Sequence, residues 1–140
     1  MRAFFLVAVL LSLSVVADAA LQPREAKCLD VLRDEWSVPS WTGAAATNAC
    51  DKWRGIECVA DGSSVGSIDL VREGLVGRVP GCLGALGNMT SLDLGNNALT
   101  GPIPPELGQL RTLKHLDLCR NALTGPIRPA LGQLSLRVHR

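Results

Sequence analysis

Three aspartates recur at one fixed spacing in this chain of 140 residues. Asp69, Asp93 and Asp117 lie 24 residues apart, each directly after an isoleucine or a leucine. A row of carboxylates can bind a cation or the basic side chains of a peptide. Arg72 and Arg120 follow the first and third aspartate by three residues and could instead meet a carboxylate. In the alternative interpretation, which stays open at this point, these charges are simply solvated.

Catalytic chemistry has little support in the sequence. The chain has two histidines, His115 and His139, and it lacks a G-x-S-x-G segment, a phosphate-binding glycine loop and a His/Cys cluster with metal-ligand spacing. Two of the recurring aspartates could suggest glycoside hydrolysis, which uses a pair of carboxyl groups. A row of aspartates on an open surface, however, has no water-excluding pocket that would make one the acid and the other the base. We therefore predict no enzyme, no cofactor and no metal site. The net charge of +1 argues against nucleic acid as a partner.

The same spacing governs the leucines around these aspartates. Residues 92–110 are repeated at 116–134, and a diverged copy occupies 68–86. A fixed period of this length indicates a coil of stacked repeats. Because Leu92 and Leu94 alternate with the residues between them, each copy predicts a short strand with its leucines inward. Successive copies then predict a parallel sheet.

The outward side chains of such strands would form columns about 4.8 Å apart across the sheet. We expect any specific binding to use these columns. The candidate binding face comprises Ser67, Asp69, Arg72, Ser91, Asp93, Asn96, His115, Asp117 and Arg120. Asn97 and Asn121 lie where the chain leaves the sheet, and we expect a structural role for them, in which their carboxamides satisfy backbone groups of their own and adjacent turns.

The N-terminus predicts a secretory signal peptide over residues 1–19. Met1 and Arg2 supply positive charge, residues 4–16 are apolar, and residues 17–19 are mostly small and suit cleavage. A membrane anchor is the alternative, but 13 apolar residues fall short of the roughly 20 that a spanning helix needs. We therefore predict cleavage after Ala19 and a secreted protein, extracellular or in the cell wall, with no membrane span in the mature chain.

The repeat pattern L-x-x-L-x-L-x-x-N-x-L-T-G-x-I-P resembles the plant-type leucine-rich repeat. The likeness covers three repeats over residues 65–134. It implies an α/β repeat fold, namely a right-handed solenoid with an inner parallel β-sheet, as in ectodomains of receptor-like kinases and in polygalacturonase inhibitors. Residues 135–140 depart from the repeat, and we predict an irregular tail there.

Residues 20–64 resemble the N-terminal cap of the same family. The likeness rests on an amphipathic helix, a Ser-Trp pair at 40–41 and the segment C-x-x-W-x-G-I-x-C at 50–58. It implies structural roles for Trp41 and Trp53 and a disulfide between Cys50 and Cys58, which would oxidise on secretion. A solenoid needs such a cap because its first turn would otherwise expose an apolar edge to water.

Three further cysteines remain. We expect Cys28 to be a small buried side chain of the cap helix and Cys119 to replace the serine that the family carries there. Cys82 aligns with Glu106 and Ala130 on the outer side of the coil, which makes it the candidate for an odd thiol or an intermolecular bridge. A Cys28–Cys82 bond is the open alternative.

The segment Asn88-Met89-Thr90 is an N-x-T sequon just before a predicted strand. It predicts N-glycosylation of Asn88 in a secreted protein. The alternative is a sequon that occurs by chance and carries no glycan.

Together these features predict a non-catalytic extracellular module that recognises a ligand through the concave face of its sheet. The partner would be a protein or peptide, a receptor kinase or a wall glycan. Two alternatives stay open: a truncated receptor-like kinase ectodomain without independent function, and an inhibitor of a cell-wall-degrading glycosidase. Those inhibitors carry more repeats and a different cap cysteine pattern. Fold and partner are only loosely linked, so the ligand cannot be inferred from the repeat.

Overall fold

The computed structural model describes residues 20–43, 45–127 and 129–131. The predicted signal peptide over 1–19 and the predicted tail over 135–140 lie outside the described residues. Helix α1 spans Pro23–Trp36 and helix α2 spans Ala49–Lys52. The strands in the described part are β1 (Ile56–Cys58), β2 (Val65–Asp69), β3 (Val76–Arg78), β4 (Ser91–Asp93), β5 (Ala98–Pro102), β6 (His115–Asp117) and β7 (Ala122–Thr124). Short 3₁₀ helices lie at Pro39–Trp41, Ala46–Asn48, Gly81–Ala85, Pro105–Gln109 and Pro129–Leu131.

The strands form two sheets, and each turn of the coil contributes one strand to each sheet. The four-stranded sheet has the order β1-β2-β4-β6, and the three-stranded sheet has the order β3-β5-β7. Strands β2, β4 and β6 pair in parallel, as the leucine spacing predicts, whereas β1 pairs antiparallel with β2. The connection between β1 and β2 explains this difference, because residues 59–64 are too few to carry the chain back to the start of a parallel strand.

The apolar core runs continuously from the cap through the repeats. Ile68, Leu92 and Leu116, which are the inward residues of successive strands, are fully buried. Leu29 and Leu32 of α1 are fully buried in the same cluster. Burial of this apolar surface is the main favourable contribution to folding.

Two asparagines join consecutive turns where the chain leaves the four-stranded sheet. Asn97 donates its Nδ2 hydrogens to the carbonyl oxygens of Leu70, one turn back, at 2.8 Å and of Leu94 at 2.9 Å. Its Oδ1 accepts the backbone N–H of Leu75 at 3.1 Å. Asn121 repeats this pattern one turn later, with a donor contact to Leu94 at 2.9 Å. Each carboxamide therefore satisfies backbone groups of two turns at once.

Helix α1 covers the first edge of the three-stranded sheet. The Trp36 indole Nε1–H donates to the Arg78 carbonyl at 2.8 Å, and the Arg78 backbone N–H donates to Glu35 Oε1 at 3.2 Å. An uncovered edge strand would leave such groups available to other chains.

No helix among the described residues has the length and apolar character needed to cross a bilayer.

Two tryptophans of the cap pack face to face. The rings of Trp41 and Trp53 are stacked with centroids 4.6 Å apart, and both side chains are buried. Trp41 Nε1–H donates to the Arg54 carbonyl at 2.9 Å, and the Arg33 guanidinium lies 5.7 Å from the Trp53 ring centroid. Stacked rings of this kind contribute packing and orientation together, which holds separate segments of the cap in one arrangement.

A buried carboxylate fastens α1 to the first repeat strand. Glu25 is 3% exposed, and its two oxygens accept the Ser64 hydroxyl at 2.5 Å and the Val65 backbone N–H at 2.7 Å. Ser64 in turn accepts the Asn88 side-chain amide at 3.0 Å. In the same connection, the Ser63 hydroxyl and backbone N–H donate to Asp61 Oδ1, and these bonds lower the pKa of Asp61. A buried charge is tolerated when its oxygens are satisfied in this way.

The substitution Glu25→Gln is expected to lower the free energy of unfolding by about 1.5 kcal/mol. The carboxylate accepts on both oxygens, whereas the amide brings an N–H₂ group against one of the two donors. Urea unfolding of the two proteins measures the difference. Asp34→Asn on the exposed side of the same helix serves as the control and should change stability by less than about 0.5 kcal/mol. Equal midpoints for Glu25→Gln and the parent protein would contradict this role.

Two disulfides link the cap to itself and to the first turn. Cys50 of α2 is bonded to Cys58 of β1, and Cys28 of α1 is bonded to Cys82 in the 3₁₀ helix Gly81–Ala85. The expectations for Cys28 as an unbonded buried side chain and for Cys82 as an odd thiol are therefore wrong. In the first turn α1 packs beside this 3₁₀ helix, so the position at which Glu106 is exposed one turn later faces the cap. Cys119 is half-buried and takes part in neither disulfide.

Candidate functional site

The outward side chains of the four-stranded sheet lie in register across the coil. Strand pairing sets Ser67 beside Ser91 and Ser91 beside His115. The same pairing sets Asp69 beside Asp93 and Asp93 beside Asp117. We refer to the surface formed by these two columns as the open face. The rest of the candidate set, Arg72, Asn96 and Arg120, lies just beyond the strands.

Each aspartate of the open face also holds its own backbone turn. Asp93 Oδ1 accepts the backbone N–H of Gly95 at 3.0 Å, and Asp117 Oδ1 accepts the backbone N–H of Cys119 at 2.8 Å. Asp69 makes the corresponding contact at 3.3 Å. One carboxylate oxygen of each residue therefore has a structural partner. This explains why aspartate recurs at this position independently of any ligand.

The residues that follow these turns have an uncommon backbone conformation. Arg72, Asn96 and Arg120 have φ angles of 57°, 57° and 54°, in the left-handed region. Asparagine tolerates this region, whereas arginine is strained there by roughly 1 kcal/mol. The Arg120 guanidinium donates to Asn96 Oδ1 at 3.3 Å, so the equivalent residues of two consecutive turns are linked. Among these three equivalent residues, Asn96 is the one whose type indicates a left-handed conformation in the sequence.

The open face and the cap together enclose an open cavity of about 840 Å³. The cap contributes Arg54 and Glu57, and the first turn contributes Glu73. Arg54 Nε lies 3.8 Å from Glu73 Oε1, and the arginine side chain is mostly exposed. Because Asp69 and Asp93 line the same cavity, its carboxylates outnumber its guanidinium groups, and a cationic group of a ligand is favoured there.

Sequence reasoning did not place the cap residues at this site. Glu57 joins it because β1 extends the sheet by one strand beyond the repeats. Glu73 occupies the position that Asn97 and Asn121 have in later turns, but its carboxylate lies near the Arg54 guanidinium. The sequence signal for β1 is the alternation of apolar Ile56, charged Glu57 and apolar Cys58. This short strand before the first repeat continues the open face.

Trp53 forms part of the cavity wall and carries an unusual polar group. Its side chain is 3% exposed, and its indole N–H is buried without a hydrogen-bond partner among the described residues. An unsatisfied buried donor costs free energy. Trp53 therefore lies in the cap, where a structural role is predicted for it, and also at the edge of the candidate site.

Three potential metal ligands converge at the far side of the open face. His115 Nε2 lies 3.9 Å from Asp93 Oδ2, and one ligand atom from each of Asp93, His115 and Asp117 lies within 4.8 Å of the others. The sequence does not predict this cluster, because its members belong to two different columns. The contact between His115 and Asp93 runs diagonally from one column to the next.

Asn88 lies beside the open face rather than on it. Its side chain is exposed in the connection before β4, and its Nδ2 contacts Ser64 at the corresponding point of the preceding turn. Thr90 of the same sequon is also exposed, and its hydroxyl donates to the Gly66 carbonyl at 3.2 Å.

Solved structures with the same arrangement come from plant proteins. The chain is similar to a chain of the BIR3–SERK2 complex from Arabidopsis thaliana, with 28% identity and a TM-score of 0.67 over 79% of this chain and 65% of that one. It is 32% identical to the BIR2 ectodomain from Arabidopsis thaliana, with a TM-score of 0.69 over 79% of this chain and 62% of that one. It is also 32% identical to the ectodomain of the Arabidopsis thaliana receptor kinase GASSHO1/SCHENGEN3 in complex with Casparian strip integrity factor 2, with a TM-score of 0.70 over 80% of this chain and 15% of that one.

The sequence comparisons agree with this likeness. A profile of the family described as Leucine Rich Repeat matches residues 88–110 and 112–134. No curated protein matches the chain significantly. The chain spans less than two thirds of the length of each solved relative named above.

Proposed function

Because this chain is a plant-type leucine-rich repeat protein, we propose that it is a non-catalytic extracellular module that recognises a protein or peptide through the open face of its four-stranded sheet. The cap would span residues 20–64 and the three repeats residues 65–134. The observation that carries the proposal is the cavity of about 840 Å³ on that face, whose lining is polar and charged.

The side chains of the open face support a binding role because packing of the core does not require them. Ser67, Ser91 and His115 occupy equivalent positions in three turns, and the residue after each is a buried aliphatic one in every turn. A position that varies on a constant scaffold is free to serve recognition. Arg54 and Glu73 at the rim add charges of both signs, which favours a polar protein surface or peptide over an apolar ligand.

The named relatives support a protein partner. One is a complex of BIR3 with SERK2, and another is a receptor kinase ectodomain in complex with Casparian strip integrity factor 2. We therefore propose a peptide or a receptor kinase ectodomain as the partner of this chain and do not carry the wall glycan forward. An inhibitor of wall glycosidases is not carried forward either, since none of the named relatives is one.

Secretion is supported by the cysteines and by the predicted signal peptide. Four of the five cysteines form two disulfides, and such bonds persist in oxidising compartments. We propose that the protein is extracellular, either secreted freely or retained in the cell wall.

Binding assays with a matched pair of variants test the proposed face. The secreted chain is screened against a library of plant receptor ectodomains and synthetic secreted peptides, and affinity is then measured for each hit. Ser91→Arg places a large cation on the open face, whereas Ala98→Arg places the same side chain on the exposed surface of the three-stranded sheet. We expect Ser91→Arg to weaken binding at least tenfold, that is by about 1.4 kcal/mol or more, and Ala98→Arg to leave it unchanged. The reverse result would reject the open face.

The competing interpretation, a fragment without independent function, has its own test. Thermal unfolding of the secreted chain should be a single cooperative transition of a monomer if the cap and repeats form an autonomous module. Aggregation or a gradual transition would favour the fragment.

We also expect Asn88 to carry an N-linked glycan, because the sequon is exposed and lies beside the open face. Treatment of the secreted protein with a peptide-N-glycosidase should lower its mass and convert Asn88 to aspartate. The variant Thr90→Ala keeps Asn88 but removes the sequon, so its mass should be unaffected by the enzyme. An unchanged mass of the parent protein would show that the sequon is not used.

A further inference from the structure

The imidazole and two carboxylates at the far side of the open face belong to adjacent strands. His115 and Asp117 point to the same side of β6 because they are two residues apart, and Asp93 of β4 is the register partner of Asp117. The three ligand atoms lie within 4.8 Å of one another. Around a zinc ion they would be about 3.4 Å apart, and rotation of the imidazole would bring its nitrogen closer to the carboxylates. His115 is 46% exposed, so its ring has room to rotate, whereas Asp93 is 24% exposed.

The preceding turn supplies an internal comparison. Asp69 and Asp93 form the same carboxylate pair there, but Ser91 stands where the next turn has His115. The buried leucines are equivalent in both turns, so the fold does not demand an imidazole at position 115. The feature that distinguishes the third turn is therefore a nitrogen ligand added to a pair of oxygen ligands.

Residue 95 places no side chain beside the two carboxylates. A Cβ atom added at Gly95 would lie 3.2 Å from Asp93 Oδ1 and 3.5 Å from Asp117 Oδ1. Glycine therefore keeps a side chain from crowding the pair. The backbone N–H groups of Gly95 and Cys119 already orient the two carboxylates from one side, which reduces the entropy lost on ligation.

From this geometry we propose that Asp93, His115 and Asp117 form a binding site for a divalent transition-metal ion of the zinc type. One imidazole and two carboxylates suit zinc, nickel or copper, whereas calcium prefers six to eight oxygen ligands and magnesium retains its water. Three protein ligands leave coordination positions for water or for a group of a bound partner. The site does not depend on the proposed function, since an ion can bind whether or not the face recognises a protein.

Titration of the secreted chain, free of any purification tag, with Zn²⁺ alone tests the proposal by calorimetry. One ion per chain is expected. His115→Ser installs the residue of the two preceding turns, so it should fold normally, and it should weaken Zn²⁺ binding at least about tenfold. His139→Ser removes the other histidine of the chain and should leave the affinity unchanged. Equal thermal midpoints for both variants and the parent establish that folding is intact.

A second pair of variants distinguishes the site from a general acidic surface. Asp93→Asn should weaken Zn²⁺ binding as strongly as His115→Ser does, whereas Asp69→Asn, at the cap end of the same row, should leave the affinity within about twofold. Absence of Zn²⁺ binding, an unchanged affinity in His115→Ser, or equal affinity for Ca²⁺ would each overturn the proposal.

Discussion

Replacing Cys28 and Cys82 together by alanine is expected to lower the free energy of unfolding by about 4 kcal/mol. The disulfide closes a loop with a sequence separation of 54 residues, which includes most of the cap and of the first turn. Its removal restores that loop entropy to the unfolded chain and breaks the covalent link between α1 and the first turn. The same double substitution at Cys50 and Cys58 releases a separation of 8 residues and is expected to cost about 2.5 kcal/mol.

Denaturant unfolding followed by two probes measures this difference. The three tryptophans all lie in the cap, so their fluorescence reports cap unfolding, while circular dichroism reports the repeats as well. The two probes should give coincident transitions in the parent protein and separated transitions in the Cys28/Cys82 variant. Thiol titration of the denatured, unreduced parent should give one reactive group. Three thiols, or equal losses of stability in the two double variants, would contradict this account of the cap.

The repeats could be predicted from the sequence because their geometry follows from local alternation. Leucines two residues apart put every second side chain outside, and a constant period keeps successive strands in register. The placement of Ser91 beside His115 and of Asp93 beside Asp117 needed no further information. Polar ladder residues such as Asn97 were predictable for the same reason, since the chain must satisfy its backbone groups at each corner.

The parts that sequence reasoning missed depend on how elements pack across the chain. Cys82 looked exposed because it aligns with the outer position that Glu106 occupies in the next turn, but α1 packs beside the 3₁₀ helix of the first turn. Glu57 entered the candidate site because β1 adds a strand to the sheet from within the cap. The approach of His115 to Asp93 crosses from one column to the next, and a one-dimensional pattern does not give diagonal distances.

The cap illustrates a common physical requirement of open-ended coils. The first strand of each sheet would expose unpaired backbone groups, and the chain covers the two edges by different means. Strand β1 covers the four-stranded sheet through regular pairing, whereas Trp36 and Glu35 cover the three-stranded sheet through side-chain hydrogen bonds. Glu25 then ties the helix to the start of β2. Polar contacts therefore decide where the cap sits, and apolar burial decides how strongly it is held.

The substitution Asn97→Ala is expected to destabilise the protein by about 3 kcal/mol. It removes the donor to the Leu70 and Leu94 carbonyls and the acceptor of the Leu75 N–H, which leaves backbone groups of two turns without partners. The isosteric change Asn97→Asp should cost at least as much, because it turns a carboxylate oxygen toward the same carbonyl oxygens. If the lost stability came only from the missing side-chain volume, Asn97→Asp would be about as stable as the parent protein. This variant therefore separates hydrogen bonding from packing.

The neighbouring residue provides the control for this ladder. Asn96 has a φ angle of 57°, a conformation that glycine adopts freely, and its side chain contacts Arg120 at the surface. Asn96→Gly should therefore change the free energy of unfolding by less than about 0.5 kcal/mol, as measured by urea denaturation beside the Asn97 variants. A similar loss in Asn96→Gly and Asn97→Ala would mean that the turn conformation, and not the shared carboxamide, holds consecutive coils together. A large loss confined to position 97 would identify inter-turn hydrogen bonding as the source of the cooperativity of the repeats.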